Sequence, residues 1–279
     1  MRRLLLAAMM FGAVSGAQAA DMPDFPALRG GFADGLTTTR VNWQGYYIGG
    51  QAGYGSSDEN FNGATGNMIA ALLANTTIEA EMGVSQWNLG LGKQSARTSG
   101  FGGFGGYNSQ WDDVVIGLEA SYLHGAFGGT STATKALAGG PLSDGFFHAV
   151  TATSQASIAI SDIATFRARA GYATGSFLPY VFGGVALGQA DITRTVTVDD
   201  HYAPTFAGAV GSCATAFCAH LTASQAQHGH LIYGYSGGLG VDVNLVGGLF
   251  LRAEWEYVRF TSQVDTSINT VRGGLGYKF

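Results

Sequence analysis

SINTVRGGLGYKF, residues 267–279, is the stretch that decides the fold. Its side chains alternate with a period of two: Val271, Leu275, Tyr277 and Phe279 share one parity, and polar residues or glycines take the other. That period predicts a β-strand with one apolar and one polar face. A free apolar edge invites aggregation, whereas an edge that pairs with the first strand closes a barrel whose apolar face meets lipid. The stretch therefore predicts the last strand of a transmembrane β-barrel.

The N-terminus predicts a secretory signal peptide. Residues 1–3 form a basic start, residues 4–14 are apolar, and Ala17-Gln18-Ala19 is a small-residue cleavage site. The apolar run has 11 residues, too few for a helix that spans a membrane. The predicted organisation is a signal peptide at 1–20, a flexible lead-in at 21–42 and a barrel domain at 43–279.

Composition also favours a barrel. Only 12% of residues are charged, against about 25% in soluble domains, and no later apolar run approaches the ~20 residues of a spanning helix. Removal of the leader takes away Arg2 and Arg3 and leaves 12 basic residues against 19 acidic ones, a net charge of −7. Nucleic acid is therefore not an expected partner, because proteins that bind it usually carry a basic stripe.

Strand periodicity recurs along the chain. The predicted strands are 43–55, 98–109, 113–124, 159–173, 177–193, 229–244, 247–261 and 267–279. Long polar loops are predicted at 56–97, with a short helix within 67–82, and at 125–157 and 194–228. Short turns follow strands two, four and six. Short turns at one end and long loops at the other are typical of outer-membrane barrels. The predicted fold is all-β: an eight-stranded antiparallel up-and-down transmembrane barrel with long extracellular loops.

Charged side chains fall on the parity opposite the apolar one. A Lys or Arg on the lipid face near the midplane would cost about 2–4 kcal/mol, so these side chains are expected in the lumen. An eight-stranded barrel is only wide enough for side chains to fill it. We therefore expect a packed ion-pair network, and the alternative is a narrow ion path through it. The predicted network comprises Glu119, Arg167, Arg169, Asp242, Arg252, Glu254, Glu256, Arg272 and Lys278.

Histidines and cysteines are the remaining candidate site residues. All six histidines fall in the predicted outer loops or rim, and His228 and His230 have the spacing of two ligands on one strand face. We interpret them as polar loop residues, with a haem or metal site as the alternative. Cys213 and Cys218, the only cysteines, predict a disulfide in an oxidising compartment. No hydrolase, zinc-protease or phosphate-loop motif is found, so neither an enzyme nor a cofactor is expected.

The last strand resembles the C-terminal signal that the bacterial outer-membrane assembly machinery reads. In that signal a polar residue precedes a glycine by two positions, and aromatic residues follow at the third and fifth positions after the glycine. Here these are Arg272, Gly274, Tyr277 and Phe279. The resemblance implies the barrel-assembly machinery as a partner.

Four further stretches carry a family resemblance: 43–55 (WQGYYIGGQAGYG), 167–172 (RARAGY), 178–186 (LPYVFGGVA) and 251–257 (LRAEWEY). They resemble the 25/31-kilodalton outer-membrane proteins of alphaproteobacteria, the RopB group, and opacity-type barrels. The resemblance implies a surface-exposed structural barrel that serves envelope integrity and host contact. We expect outer-membrane lipid and lipopolysaccharide to surround it. Some relatives bind haemin, so a haem or host-surface receptor remains the alternative. No catalytic residue transfers.

Overall fold

A computed structural model describes residues 41–87, 89–214, 216–261 and 264–279. The predicted signal peptide and all but the end of the lead-in lie outside the described residues. Eight antiparallel strands form a closed barrel in which each strand pairs with the next. The strands are β1 (Gly45–Asn60), β2 (Lys93–Trp111), β3 (Val114–Gly139), β4 (Phe147–Tyr172), β5 (Phe177–Ala203), β6 (Phe217–Val246), β7 (Leu249–Phe260) and β8 (Asp265–Lys278). The predicted all-β fold, an eight-stranded antiparallel up-and-down barrel, is confirmed.

The barrel closes through the stretch that predicted it. β8 pairs with β1 from Tyr47 opposite Lys278 to Asn60 opposite Asp265. The Phe279 backbone N–H donates to the Tyr46 carbonyl at 2.9 Å and extends this seam to the last residue. No backbone edge of β8 is therefore left unpaired along the seam, as a membrane interior requires.

An apolar outer surface follows from the alternation of side chains. Large hydrophobic residues on every strand point outward, among them Leu118 at 71% exposure and Val271 at 64%. Tyrosines lie towards both ends of this surface, for example Tyr46 at one end and Tyr54 at the other. Exposed apolar surface of this extent is expected where lipid, and not water, is the solvent.

The prediction of long loops at 125–157 and 194–228 was wrong. β3 runs to Gly139 and β4 begins at Phe147, while β5 runs to Ala203 and β6 begins at Phe217. The outer halves of these four strands form a sheet, here called the extension, that continues beyond the apolar surface. Threonine is abundant in these segments, and its β-branched side chain favours strands even where the sequence is polar. Polarity therefore marked the end of the membrane and not the end of the strands.

The connection between β1 and β2, residues 61–92, forms a lid. It contains helices α1 (Gly66–Leu72) and α2 (Thr77–Met82) and a 3₁₀ turn, Val84–Gln86. The predicted short helix within 67–82 is thus present as two helices. The Thr76 side chain accepts a hydrogen bond from the Glu79 backbone N–H at 3.3 Å and caps α2, which Gly83 ends in the left-handed conformation, with φ of 58°.

The lid packs on the inner face of the extension. The contacts are apolar and join both helices to β4 and β5, through Met68, Ile69, Leu73, Ile78, Val84, Val150, Ala152, Val196 and Val198. Within the described part of the chain, none of the helices is long and apolar enough to cross a membrane.

Spin labels distinguish the membrane surface from the extension. Labels at Val185 and Leu251 are expected to be accessible to oxygen dissolved in lipid. Labels at Thr132 and Ser224 are expected to be accessible to a water-soluble relaxation agent and yet to show the slow motion of strand residues. Fast, loop-like motion at Thr132 and Ser224 would contradict the extension, and water accessibility at Leu251 would contradict the barrel.

Candidate functional site

The lumen begins, at the end with the short turns, with a floor of aromatic and aliphatic side chains. Its members are Trp43, Tyr47, Phe104, Val115, Leu178, Tyr180, Phe182 and Phe250. Glycines let these rings lie on the barrel wall. A Cβ added at Gly49 would come within 2.3 Å of the Phe104 ring, and one at Gly276 within 2.3 Å of the Phe250 ring. The floor closes this end of the barrel.

Above the floor lies a buried network of four carboxylates and four guanidinium groups. They are Glu119, Asp242, Glu254, Glu256, Arg167, Arg169, Arg252 and Arg272. Strand register places opposite charges directly across from each other in three places. These pairs are Glu119 with Arg167, Asp242 with Arg252, and Glu254 with Arg272. Eight of the nine predicted members therefore come together, and their formal charges balance.

Glu119 lies at the centre of this network. One carboxylate oxygen accepts from Arg167 Nε at 2.9 Å. The other accepts from Arg252 Nη1 at 2.8 Å, from the Tyr47 hydroxyl at 2.6 Å and from Arg169 Nη1 at 3.3 Å. Removal of this one carboxylate would leave three guanidinium groups short of a partner.

The other carboxylates extend the network across the lumen. Asp242 accepts from Arg169 Nη2 at 2.7 Å and from Arg252 Nε at 2.8 Å. Glu254 accepts from Arg167 Nη2 at 2.6 Å and from the Tyr180 hydroxyl at 2.5 Å. Glu256 contacts Arg167, and the Arg272 guanidinium pairs with the same carboxylate.

Three of the four guanidinium groups also stack on the aromatic floor. Arg169 lies 3.7 Å from the ring centroid of Tyr180, Arg252 lies 3.8 Å from that of Phe104, and Arg167 lies 4.0 Å from that of Phe182. Each cation is thus held from the side by carboxylates and from one face by an aromatic quadrupole. Arginine suits this role better than lysine, because its planar fork can pair and stack at the same time.

An apolar layer closes the lumen towards the lid. Strand residues such as Leu123, Ile163, Ile232 and Phe260 form one buried cluster with lid residues, among them Phe61 and Leu91. From the turn end outward, the described lumen therefore consists of an aromatic floor, an ionic layer and an apolar layer. The lid covers the last of these.

Lys278 is a correction to the predicted network. Its ammonium group is exposed at the turn end, where it donates to the Gln44 carbonyl at 3.4 Å. Parity correctly placed its side chain on the inner face. Parity carries no information on position along the barrel axis, however, and Lys278 lies nearer the turn end than the aromatic floor. It belongs to the rim and not to the ionic layer.

Arg194 is a buried charged residue that sequence reasoning missed. Its Nη1 donates to the Ala64 carbonyl of the lid at 2.8 Å, and its Nη2 donates to Gln225 Oε1 at 2.6 Å. It lay in a predicted loop, although the alternation in TRTVTV, residues 193–198, was a usable signal. Arg194 ties the lid to the extension.

The predicted pair of ligands, His228 and His230, does not share a face. Gly229 between them has φ of 60°, and the register with β5 shifts from Ala190 opposite His230 to Ile192 opposite Gln227. This bulge reverses the parity of the strand, so residues two apart lie on opposite faces. The arrangement does not fit two axial ligands of one haem or one metal ion.

His148 is the one histidine that is buried among the described residues. Its Nδ1 lies 3.0 Å from the Asp200 carboxylate, and its Nε2 lies 2.9 Å from that of Asp144. Burial raises the pKa of the Asp200 carboxyl, whereas the backbone N–H of Phe146 lowers the pKa of Asp144. This cluster ties the connection between β3 and β4 to β5.

Cys213 and Cys218 form a disulfide that joins the connection between β5 and β6 to the start of β6. With His201 they are the sole group of three adjacent metal-ligating side chains in the described ranges. Because both thiols are consumed by the disulfide, this group offers a metal only one imidazole.

The residues of the assembly signal lie on different faces of β8. Tyr277 and Phe279 point outward, and their rings are in contact, with centroids 5.3 Å apart. Arg272 points into the lumen and is part of the ionic layer. An effect of replacing Arg272 would therefore combine assembly with core packing, whereas Phe279 isolates the signal.

Glu119→Gln and Lys278→Gln together test the mapped network. Glu119→Gln is expected to lower the free energy of unfolding by about 3–5 kcal/mol, because it leaves buried guanidinium charge unpaired. Lys278→Gln removes a charge that lies at the rim and should change it by less than about 0.5 kcal/mol. Urea titration of barrels refolded in vesicles measures both values. Equal losses for the two variants would contradict the position given to Lys278.

Comparisons with known proteins agree with this geometry. Residues 4–279 match the family model described as outer membrane protein beta-barrel domain. The 25 kDa outer-membrane immunogenic protein of Brucella ovis is 23% identical over 201 residues, which are 68% of this chain and 74% of the relative.

Solved barrels align over most of their length. Ail, the attachment invasion locus protein of Yersinia pestis, is 12% identical with a TM-score of 0.32, over 85% of this chain and 99% of its own. Neisserial surface protein A is 13% identical with a TM-score of 0.35, over 84% and 97%. The family match confirms the expected outer-membrane location. The chain belongs to the outer-membrane β-barrel family, and it is similar to an outer-membrane immunogenic protein of Brucella ovis.

Proposed function

We propose that the protein is a sealed structural barrel of the outer membrane. The observation that carries this proposal is the filling of the lumen by three successive layers: the aromatic floor, the ionic layer and the apolar layer. An ion that entered would have to separate buried pairs such as Arg252 and Asp242, whose atoms lie 2.8 Å apart. Breaking one buried pair typically costs about 3–5 kcal/mol, so the network opposes conduction.

A catalytic role is not part of this proposal. Ser161, His124 and Asp162 meet on the outer wall, and hydrogen bonds from Ser161 and Tyr122 and the contact with His124 hold the pKa of Asp162 at about 2. The Ser161 hydroxyl donates to the Asp162 carboxylate at 2.6 Å, however, and His124 Nδ1 lies 2.8 Å from that carboxylate. A nucleophile needs a base as its direct partner, and a carboxylate held this strongly ionised is a weak base.

Binding to a partner surface outside the membrane is a second proposed role. The exposed side chains at the tip of the extension support it. Leu137, Phe206, Val210 and Phe217 are each about half exposed there, beyond the apolar membrane surface. A groove of about 360 Å³ runs beside Val210, and aliphatic side chains, four of them alanines, form most of its lining. Apolar side chains gathered in water outside a membrane are typical of a surface that binds a partner.

Recognition by the assembly machinery is expected to depend on Phe279. Phe279→Ala should lower the amount of folded barrel in cells and leave refolding of the purified chain unchanged. The reason is that Phe279 is 73% exposed and its ring contact is with the outward-facing Tyr277. Phe177→Ala, an outward aromatic at the same end, is the matched control and should assemble normally. Immunoblots of boiled and unboiled membranes measure both. Normal assembly of Phe279→Ala would remove the proposed signal.

Conductance tests the seal. Purified wild-type barrel in a planar bilayer is expected to show no single-channel steps, with a general porin as the positive control. A variant in which a short glycine-serine turn replaces residues 62–90 should also remain silent, because the floor and the ionic layer lie below the lid. Steps from the wild-type barrel would contradict the proposal, and steps from the lid variant alone would assign the seal to the lid.

A further inference from the structure

We propose that the outer ends of β2, β1, β8 and β7, here called the basic arc, bind the phosphorylated sugar headgroup of lipopolysaccharide. Lys93, Arg97 and Arg259 are the residues that would hold it. The inference goes beyond the sealing role and depends only on the location of the barrel in the outer membrane.

The three cations of the basic arc differ from the other described arginines and lysines in having no protein partner among the described residues. All three side chains are exposed on the outer wall of the barrel. Across the described ranges, no hydrogen bond or ion pair joins their charged groups to another side chain or to a carbonyl. The lumenal arginines are fully paired, Arg194 is bonded to the lid, and Lys135 lies over the Trp87 ring. Three cations at one rim are therefore accessible to an anionic partner from outside the chain.

Register gathers these cations just above the lipid-facing surface. Arg97 on β2 and Tyr257 on β7 lie at the same level, because the strand pairing connects them in one row. In this row Arg97 pairs with Ser56, Ser56 with Asn269, and Asn269 with Tyr257. Arg259 is two residues beyond Tyr257, or about 7 Å further along the strand. The phosphates of a lipid headgroup lie at this height, directly above the acyl chains that contact the barrel. Continuity with the lipid-facing surface and opposite charge both favour an anionic headgroup.

A cavity between these side chains has the size and the chemistry for part of a sugar. Its volume is about 230 Å³, and its lining includes the cations Lys93 and Arg259, the carboxylates Asp58, Glu59 and Asp265, and Ser267. Arg97 lies outside this cavity, further along β2. The cations suit phosphate oxygens, while the three carboxylates and the serine suit sugar hydroxyl and amide donors. A headgroup that carries both phosphates and donors fits better than a simple phosphodiester, whose oxygens would meet Asp58 and Asp265 without compensation.

The opposite side of the barrel lacks this chemistry. Where β4 and β5 leave the membrane, Asp162 and Asp191 are the charged residues on the outer wall, beside His124 and His228. On that side the strands continue into the extension, whereas on the basic arc they end at the surface. A bulky anionic headgroup therefore has both room and attraction on the arc alone.

Lipid A with two phosphates, and the same lipid without them, tests the proposal. Wild-type barrel purified in detergent should bind the bis-phosphorylated form more tightly, as measured by native mass spectrometry across a lipid titration. The variant Lys93→Gln/Arg97→Gln/Arg259→Gln should bind it at least about tenfold more weakly, because each basic side chain at a membrane surface adds attraction. Its affinity for the dephosphorylated form should not change.

Lys135→Gln is the matched control, since it removes an exposed cation from the extension and leaves the arc intact. A shift in gel migration on boiling verifies that each variant is folded. Equal affinity of the triple variant and wild type for bis-phosphorylated lipid A would overturn the proposal. So would equal loss in Lys135→Gln, or equally tight binding of phosphatidylglycerol, which carries charge without the sugar. Because no step depends on conductance, this result is independent of the proposed seal.

Discussion

Charge buried inside a narrow barrel must be paired within that barrel, and this constraint shapes the rest of the structure. Four arginines project into a lumen too narrow to hydrate them, so each needs a carboxylate within reach. The pairing of Glu119 with Arg167, Arg169 and Arg252 draws β3, β4 and β7 towards one centre. Aromatic rings from β1, β2 and β5 then fill the space on one side of the guanidinium planes. The glycines opposite those rings are needed because the ionic layer leaves no other room.

The same constraint separates the protein into regions with different tasks. Inside the membrane, the wall is apolar and the charged groups of the ionic layer are paired with one another. Beyond the membrane, four strands continue as the extension, and the lid fills its inner face. Outside the membrane, the described residues present unpaired cations at the rim and exposed apolar side chains at the tip. Interaction with the surroundings is therefore assigned to these outer parts.

Much of the barrel could be predicted from side-chain parity, because the lipid face tolerates no charge and every strand must obey that rule. Parity predicted the strands, their number and the lumenal position of Glu119 and its partners. It could not predict which arginine meets which carboxylate, since that depends on the stagger between strands. It also could not predict height, and Lys278 was misplaced for that reason. The bulge at Gly229 reversed parity locally and separated His228 from His230, and the threonine-rich strands of the extension resembled loops by polarity alone.

Exchange of arginine side-chain protons with water tests the central claim most directly. In the barrel labelled with ¹⁵N and held in micelles, the guanidinium protons of Arg252 and Arg167 are predicted to exchange slowly, because both groups are paired and stacked in a lumen closed at both ends. Those of Arg259, which lies exposed at the rim, provide the internal reference for fast exchange. Exchange of Arg252 as fast as that of Arg259 would show a hydrated lumen and contradict the account.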